Sequence, residues 1–233
     1  MPSRTPLAVN QENSNPTLIF HHELFATQCR VAELNTRHPT PDKDAIALMP
    51  VFDRLGLSQI TLVSSEAGAR QALDALIRVP VWGFDTESKP TFRVGEASDG
   101  PHVLQLASPD HAWVFHLHDA RCRAVAGELL TMPGFVKAGF GLGDDRRRIV
   151  QKLGVEPIGI LELNTVFQQR GYRRDMGVKG AVAVLFHQRF IKSKKAATSN
   201  WANPRLTDAQ LIYAANDGYA AVRVYHALGV TPG

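Results

Sequence analysis

At 233 residues, with 44% hydrophobic and 21% charged positions, the chain can bury a full core as one large domain, with or without an appendage. Its two cysteines, Cys29 and Cys122, exclude a disulfide scaffold and lack metal-site spacing. The polar N-terminus lacks an apolar signal core, and no stretch approaches the ~20 apolar residues of a membrane span, so an intracellular, soluble protein without membrane partners is expected. Net charge is only +4, but the segment 170–205 carries +8 and leaves −4 for the remainder. That asymmetry suits a polyanionic partner, although a solvated basic face gives the same count.

Residues 1–55 read as an N-terminal extension, partly disordered or helical, ahead of a main domain over 56–233. Pro16, Pro39 and Pro41 interrupt the first part, where a helix over 22–34 is an option, and a second helix is expected over 44–55. The main domain opens with a strand over 60–63, then a helix running to Ile77 and capped by Ser64 or Ser65. Apolar runs bounded by turn formers predict strands over 81–87, 103–107, 112–115, 135–140 and 158–163. Helices are expected over 121–130, 144–153, 177–187 and 207–228, the last stopped by Gly229. Early strands followed by alternating helices and strands predict a mixed α/β sandwich.

Three acidic patches carry the chemistry. Asp85 and Glu87 are two apart on a predicted strand, so both side chains leave the same face while Thr86 points to the other. Paired carboxylates repel and lose hydration in a core, and a hard cation such as Mg²⁺ or Mn²⁺ removes that cost. Asp145 opens a helix after the run Gly139-Phe140-Gly141-Leu142-Gly143, with Asp144 available as its cap. Tyr213 and Asp217 are four apart on one helix face, and Asp217 lies in a largely apolar run where a purely structural acid is poorly placed. Each patch alone has an ordinary structural explanation; together they can hold two divalent metals. His116 and His118 straddle a strand end, but no zinc-site spacing surrounds them.

With these residues in view, the stretch from about 60 to 228 resembles the tyrosine-containing (DEDDy) branch of the DEDD superfamily of 3′–5′ exonucleases. It is most like the ribonuclease D catalytic domain and the Werner-syndrome exonuclease domain. Trp82-Gly83-Phe84-Asp85-Thr86-Glu87 is similar to the first family motif, and Val103-Leu104-Gln105-Leu106 to the strand after it. Lys137 to Asp145 resembles the second motif. Asn200-Trp201, Leu206-Thr207 and Gln210 to Tyr219 resemble the third. Gly218 departs from the pattern, standing where relatives commonly have alanine, and Asn216 occupies a variable slot.

The resemblance implies a ribonuclease H-like α/β fold, a mixed five-stranded sheet flanked by helices. It implies two-metal hydrolysis of single-stranded DNA or RNA from a free 3′ end, releasing 5′-mononucleotides with Mg²⁺ or Mn²⁺. Asp85, Glu87, Asp145 and Asp217 would hold the metals, with Asp85 bridging them and Tyr213 orienting the nucleophile. Thr86, Lys192, Lys194, Lys195 and Arg205 are candidate nucleic-acid contacts, with Trp201 either a stacking surface or a core residue. Two other function classes compete: a catalytically silent nucleic-acid-binding module on the same fold, and a phosphohydrolase acting on free nucleotides. DNA versus RNA and oligomeric state are open at this level.

Overall fold

The computed structural model describes residues 38–91, 99–172 and 176–230. The helix expected over 22–34, Cys29, and the arginines at 173 and 174 lie outside those residues. The compact unit begins at Pro39. In chain order it contains α1 (Lys43–Leu48), a 3-10 turn (Leu57–Gln59), β1 (Ile60–Val63), α2 (Glu66–Leu76), β2 (Val81–Glu87), β3 (Val103–Ala107) and β4 (Ala112–His116). Then follow α3 (Ala120–Thr131), β5 (Val136–Gly139), α4 (Gly143–Leu153), β6 (Ile160–Glu162), α5 (Leu163–Gln169), α6 (Gly177–Phe186), α7 (Lys194–Ala197) and α8 (Asp208–Ala227).

The strands form one mixed sheet in the order β1-β4-β3-β2-β5-β6. β2, β3 and β4 make an antiparallel meander; β1 joins β4 in parallel, and β5 and β6 extend in parallel from β2. Six strands match the residue reading and exceed by one the five implied by resemblance. Each sheet face carries its own core. Val81, Val103, Ala107 and Val114 pack with α5, α6 and α8 on one side. Trp82, Phe84, Leu104, Leu106 and Phe115 pack with α2, α3 and α4 on the other. Alternation along each strand thus sorts odd-numbered residues of β2 towards α8 and even-numbered ones away from it.

The first helix is shorter than expected over 44–55, ending at Leu48 just before Pro50, which cannot donate to a continuing helix. The chain then runs extended: Phe52 N donates to Arg189 O at 3.0 Å, and Arg189 N to Pro50 O at 2.8 Å. Asn216 fixes this segment from α8, accepting from Leu55 N at 2.8 Å and donating to Leu55 O at 3.2 Å. Phe52 and Leu55 are core residues, and residues 39–55 fall in the same compact unit as the sheet. The spacing of apolar residues also missed α5, whose seven residues are capped by Glu162 accepting from Asn164 N at 2.9 Å. Ser65, one of the two expected caps, accepts from Gly68 N and starts α2.

One crossing places the functional residues. A Cβ on Gly83 would stand 1.8 Å from Gly218 O, so backbones of β2 and α8 touch where a side chain would hold them apart. Gly83 is two residues before Asp85 on the same strand face, and Gly218 directly follows Asp217. Close approach of the two glycines therefore brings those carboxylates together. The clash on the α8 side is milder, with a Cβ on Gly218 reaching 3.3 Å from Gly83 O. Gly83→Ala is expected to cost about 3 kcal/mol or more, since backbone must move to admit the methyl. Thermal unfolding checks this, and a change below ~1 kcal/mol would show that the crossing yields easily.

Candidate active site

Asp85 and Glu87 end β2 on the α8 side, and Asp217 descends onto them from the middle of α8. One carboxylate oxygen from each lies within 4.8 Å of the others. Asp217 is 5% exposed, and its Oδ1 is buried without a hydrogen-bond partner. Lys192 Nζ stands 2.7 Å from Asp217 Oδ2, and it lies 5.3 Å over the Tyr213 ring. Thr86 N donates to Asp85 Oδ1 at 2.9 Å.

Electrostatics reflect the crowding. Burial, then the charges of Asp217 and Asp145, hold the Asp85 carboxyl well above the usual carboxylate range. Burial and the neighbouring Asp85 push Glu87 up to about 9. Burial also raises Asp217, but the Lys192 ammonium opposes it and leaves the carboxyl at about 6. Burial works against the charge of Lys192, yet Asp217 outweighs it and holds the ammonium above its ordinary value. Burial and the Asp217 charge keep the Tyr213 phenol protonated above its usual range.

Asp145 reaches the end of β2 from the other side of the sheet, where α4 packs, and its Oδ1 accepts from the Thr86 hydroxyl. It is not one of the three mutually close carboxylates. The capping role suggested for Asp144 is corrected. Leu142 is the N-cap of α4 and makes no side-chain cap bond, while Asp144 is exposed and faces Arg147 Nη2 at 3.2 Å. The backbone there is instead tied down by Glu162, whose Oε2 accepts from Leu142 N at 2.8 Å. Sequence reasoning missed Glu162, which reads as an ordinary strand-end acid.

The expected nucleic-acid contacts divide. Lys194 and Lys195 lie exposed on the short α7, and Arg205 is exposed in the loop before α8. Thr86 is spent on Asp145, and Lys192 is paired with Asp217. Of the two roles left open for Trp201, burial favours the core: its side chain is fully buried, with its ring 5.9 Å from that of Tyr213. The loop that carries it is held to the sheet by His116 and His118, whose Nε2 atoms lie 3.0 and 3.3 Å from Asn203 O. Gln210 joins the same loop to α8 through Ser199 Oγ at 3.0 Å.

Gln105 was also missed as a site-adjacent residue. It pairs in register with Asp85 on β3, so its side chain leaves the same sheet face. It is fully buried, and both amide atoms lack a hydrogen-bond partner. A buried Gln on a core strand is where apolar alternation would lead one to expect a Val; that breach was the available signal.

A cavity of about 320 Å³ opens on this cluster, with Asp85, Asp217, Lys192, Phe140 and Asn164 in its wall. Buried, mutually repelling oxygen donors with an orphaned Asp217 oxygen fit a hard divalent cation, which prefers oxygen ligands and neutralises their charge.

A mixed sheet flanked by helices, with carboxylates gathered at the end of a central strand, places the protein among ribonuclease H-like α/β domains. A family model described as 3′–5′ exonuclease matches residues 60–231, and the chain belongs to that family of nuclease hydrolases. It is 28% identical over 151 residues to the mouse (Mus musculus) bifunctional 3′–5′ exonuclease/ATP-dependent helicase WRN, covering 64% of this chain and 11% of that protein. Against an Arabidopsis thaliana 3′–5′ exonuclease it is 25% identical over 152 residues, covering 64% of this chain and 53% of the relative. The chain therefore spans about half or less of the length of these curated relatives. Trypanosoma brucei RNase D, solved in complex with RNA U12, shares the fold at a TM-score of 0.65 and 19% identity, over 81% of this chain and 65% of that one. Exonucleases of this family depend on metal ions, in keeping with the acidic cluster. Among the described residues no helix is long and apolar enough to cross a membrane.

Proposed function

We propose that this chain removes 5′-mononucleotides from the 3′ end of single-stranded DNA or RNA by two-metal hydrolysis, with Asp85, Glu87, Asp145 and Asp217 as metal ligands. The observation that carries this reading is the convergence of Asp85, Glu87 and Asp217 within 4.8 Å on the open side of the central strand. Ions held there supply an activated water and neutralise charge at the reacting phosphate. Asp85, Glu87 and Asp217 would hold metal on the α8 side of β2, and Asp145, steadied by Thr86, would contribute from across the strand. Tyr213 keeps its proton, as burial and Asp217 dictate, and so donates a hydrogen bond that orients the attacking water.

A nucleic-acid substrate is supported by the exposed Lys194 and Lys195 on α7, close in sequence to Lys192 of the site, by the exposed Arg205, and by the RNA bound to the trypanosomal neighbour. The test compares 5′-end- and 3′-end-labelled single-stranded DNA and RNA of one sequence, with Mg²⁺, Mn²⁺ or EDTA. A metal-dependent ladder from the 5′ label, with immediate mononucleotide from the 3′ label, is expected. Salt-sensitive binding without cleavage would support a silent binding module instead, and hydrolysis confined to free nucleotides would point to a phosphohydrolase. Tyr213→Phe is expected to lower kcat by up to roughly 100-fold, as loss of nucleophile orientation does, while leaving metal affinity within about twofold. Metal titration beside single-turnover kinetics checks both halves; unchanged kcat would remove Tyr213 from the reaction.

A further inference from the structure

We propose that the Lys192 ammonium is a resident counter-ion of the carboxylate cluster, displaced when a divalent ion binds and then committed to a substrate phosphodiester in the adjoining basic groove. Nζ sits 2.7 Å from Asp217 Oδ2, against a carboxylate whose side chain is only 3% exposed. One positive charge faces three carboxylates there, so the ammonium relieves the cluster without satisfying it. Asp217 Oδ1 keeps no hydrogen-bond partner, which leaves an oxygen for an incoming cation.

The lysine is placed to serve two sites. Its main chain is pinned between Arg189, bonded to the backbone of Pro50 and Phe52, and Ser193, the cap of α7. Its four-carbon stem is flexible, and ammonium donors reorient freely. Lys192 lines the 320 Å³ cavity that holds Asp85 and Asp217. It also lines a cavity of about 790 Å³, whose wall includes Lys43, Lys179 and Arg189. Arg189 Nε is buried there without a partner, so that wall has cationic hydrogen-bonding capacity unspent within the protein. A groove with four basic side chains suits the phosphates of a strand whose 3′ end enters the carboxylate site. Binding of a divalent ion at Asp217 repels the ammonium, and the basic groove holding a phosphate is where its charge is next best placed.

The inference rests on the two-ion reading, and its test separates the two. Mn²⁺ binding is measured by calorimetry without nucleic acid, on the whole chain, for wild type, Lys192→Gln and Lys192→Arg, with circular dichroism to establish folding. Compared at a pH high enough that affinity no longer rises, so that proton release does not enter, Lys192→Gln is expected to bind Mn²⁺ roughly fivefold to tenfold more tightly, because no like charge must be displaced, and Lys192→Arg is expected to stay near wild type. In Ca²⁺, Lys192→Gln is expected to bind a single-stranded oligothymidylate roughly fivefold more weakly, since a phosphate partner is gone. A merely structural lysine would not move the two affinities in opposite directions. Equal or weaker Mn²⁺ binding by Lys192→Gln overturns the counter-ion role while leaving the metal site standing. An unchanged oligonucleotide affinity overturns the transfer to substrate. Failure of wild type and both variants to take up Mn²⁺ overturns the two-ion reading and this inference with it.

Discussion

Asp85→Asn is expected to lower turnover at least ~1,000-fold, equivalent to ~4 kcal/mol of lost transition-state stabilisation, while raising the melting temperature of the metal-free protein. Both effects come from the same charge. Burial and the charges of Asp217 and Asp145 make an ionised Asp85 costly in the folded state. Asn keeps the shape and an oxygen in place of Oδ1, which accepts from Thr86 N at 2.9 Å, so the local turn of the strand end survives. The substitution removes one acidic group from a crowded, buried cluster without opening a cavity. It also removes an anionic ligand proposed for the metal, for which a neutral amide is a poor replacement. Single-turnover cleavage of a 5′-labelled strand, with melting curves in EDTA, tests the pair. Activity within tenfold of wild type would deny Asp85 its role, and a lower melting temperature would mean that its charge is not a burden.

The same residues show where sequence suffices. Asp85 and Glu87 could be placed together because a strand's two-residue period alone decides which side chains share a face. Asp217 was conspicuous as an acid in an apolar helical run, a breach of pattern that local reading detects. The periodic run expected over 207–228 placed α8 to within a residue at each end. What local periodicity cannot decide is which distant segment meets a given face. Lys192 reads as one more member of a basic run, yet it turns in to Asp217, 25 positions away. Thr86 faces away from Glu87, as alternation requires, but its capture of Asp145 depends on α4 covering that side. Trp201 has the same spacing whether it is open to a base or sealed behind Tyr213; only packing distinguishes them. The extended stretch at Pro50 to Leu55 is likewise defined by partners at Arg189 and Asn216, far along the chain. Gly83 and Gly218 were in view as motif letters, but their reason is one shared contact between β2 and α8.

That contact also sets how the protein should respond to pH and metal. In EDTA the carboxylate cluster's contribution to stability is expected to fall as pH rises from about 5.5 to 8.5, opposed below 6.5 by His102, His111 and His116, which burial holds below their ordinary value. The sign follows from Glu87 and Asp217, whose folded values of about 9 and about 6 lie above the 4.5 and 3.8 of ordinary carboxyls. Below those ordinary values both states are protonated and the folded state is at its best. As pH rises, the unfolded chain ionises first, so stability drains away until the folded carboxyls ionise too, near 9 for Glu87. A divalent ion reverses the penalty because it binds the ionised carboxylates of the folded state and gains affinity as protons leave. Added Mn²⁺ should therefore change the melting temperature little at pH 5.5 and much more at pH 8. At 100 times its dissociation constant it would contribute ~2.7 kcal/mol, or roughly 5–10 °C for a chain of this size. Melting curves across that pH range, with Mn²⁺ or EDTA, measure both slopes. A flat EDTA profile would mean that solvent or local rearrangement already relieves the three carboxylates. A metal effect equally large at pH 5.5 would place the ion elsewhere. Glu87→Gln supplies the internal control, since removing the carboxyl that titrates highest should flatten the EDTA slope and blunt the metal response together.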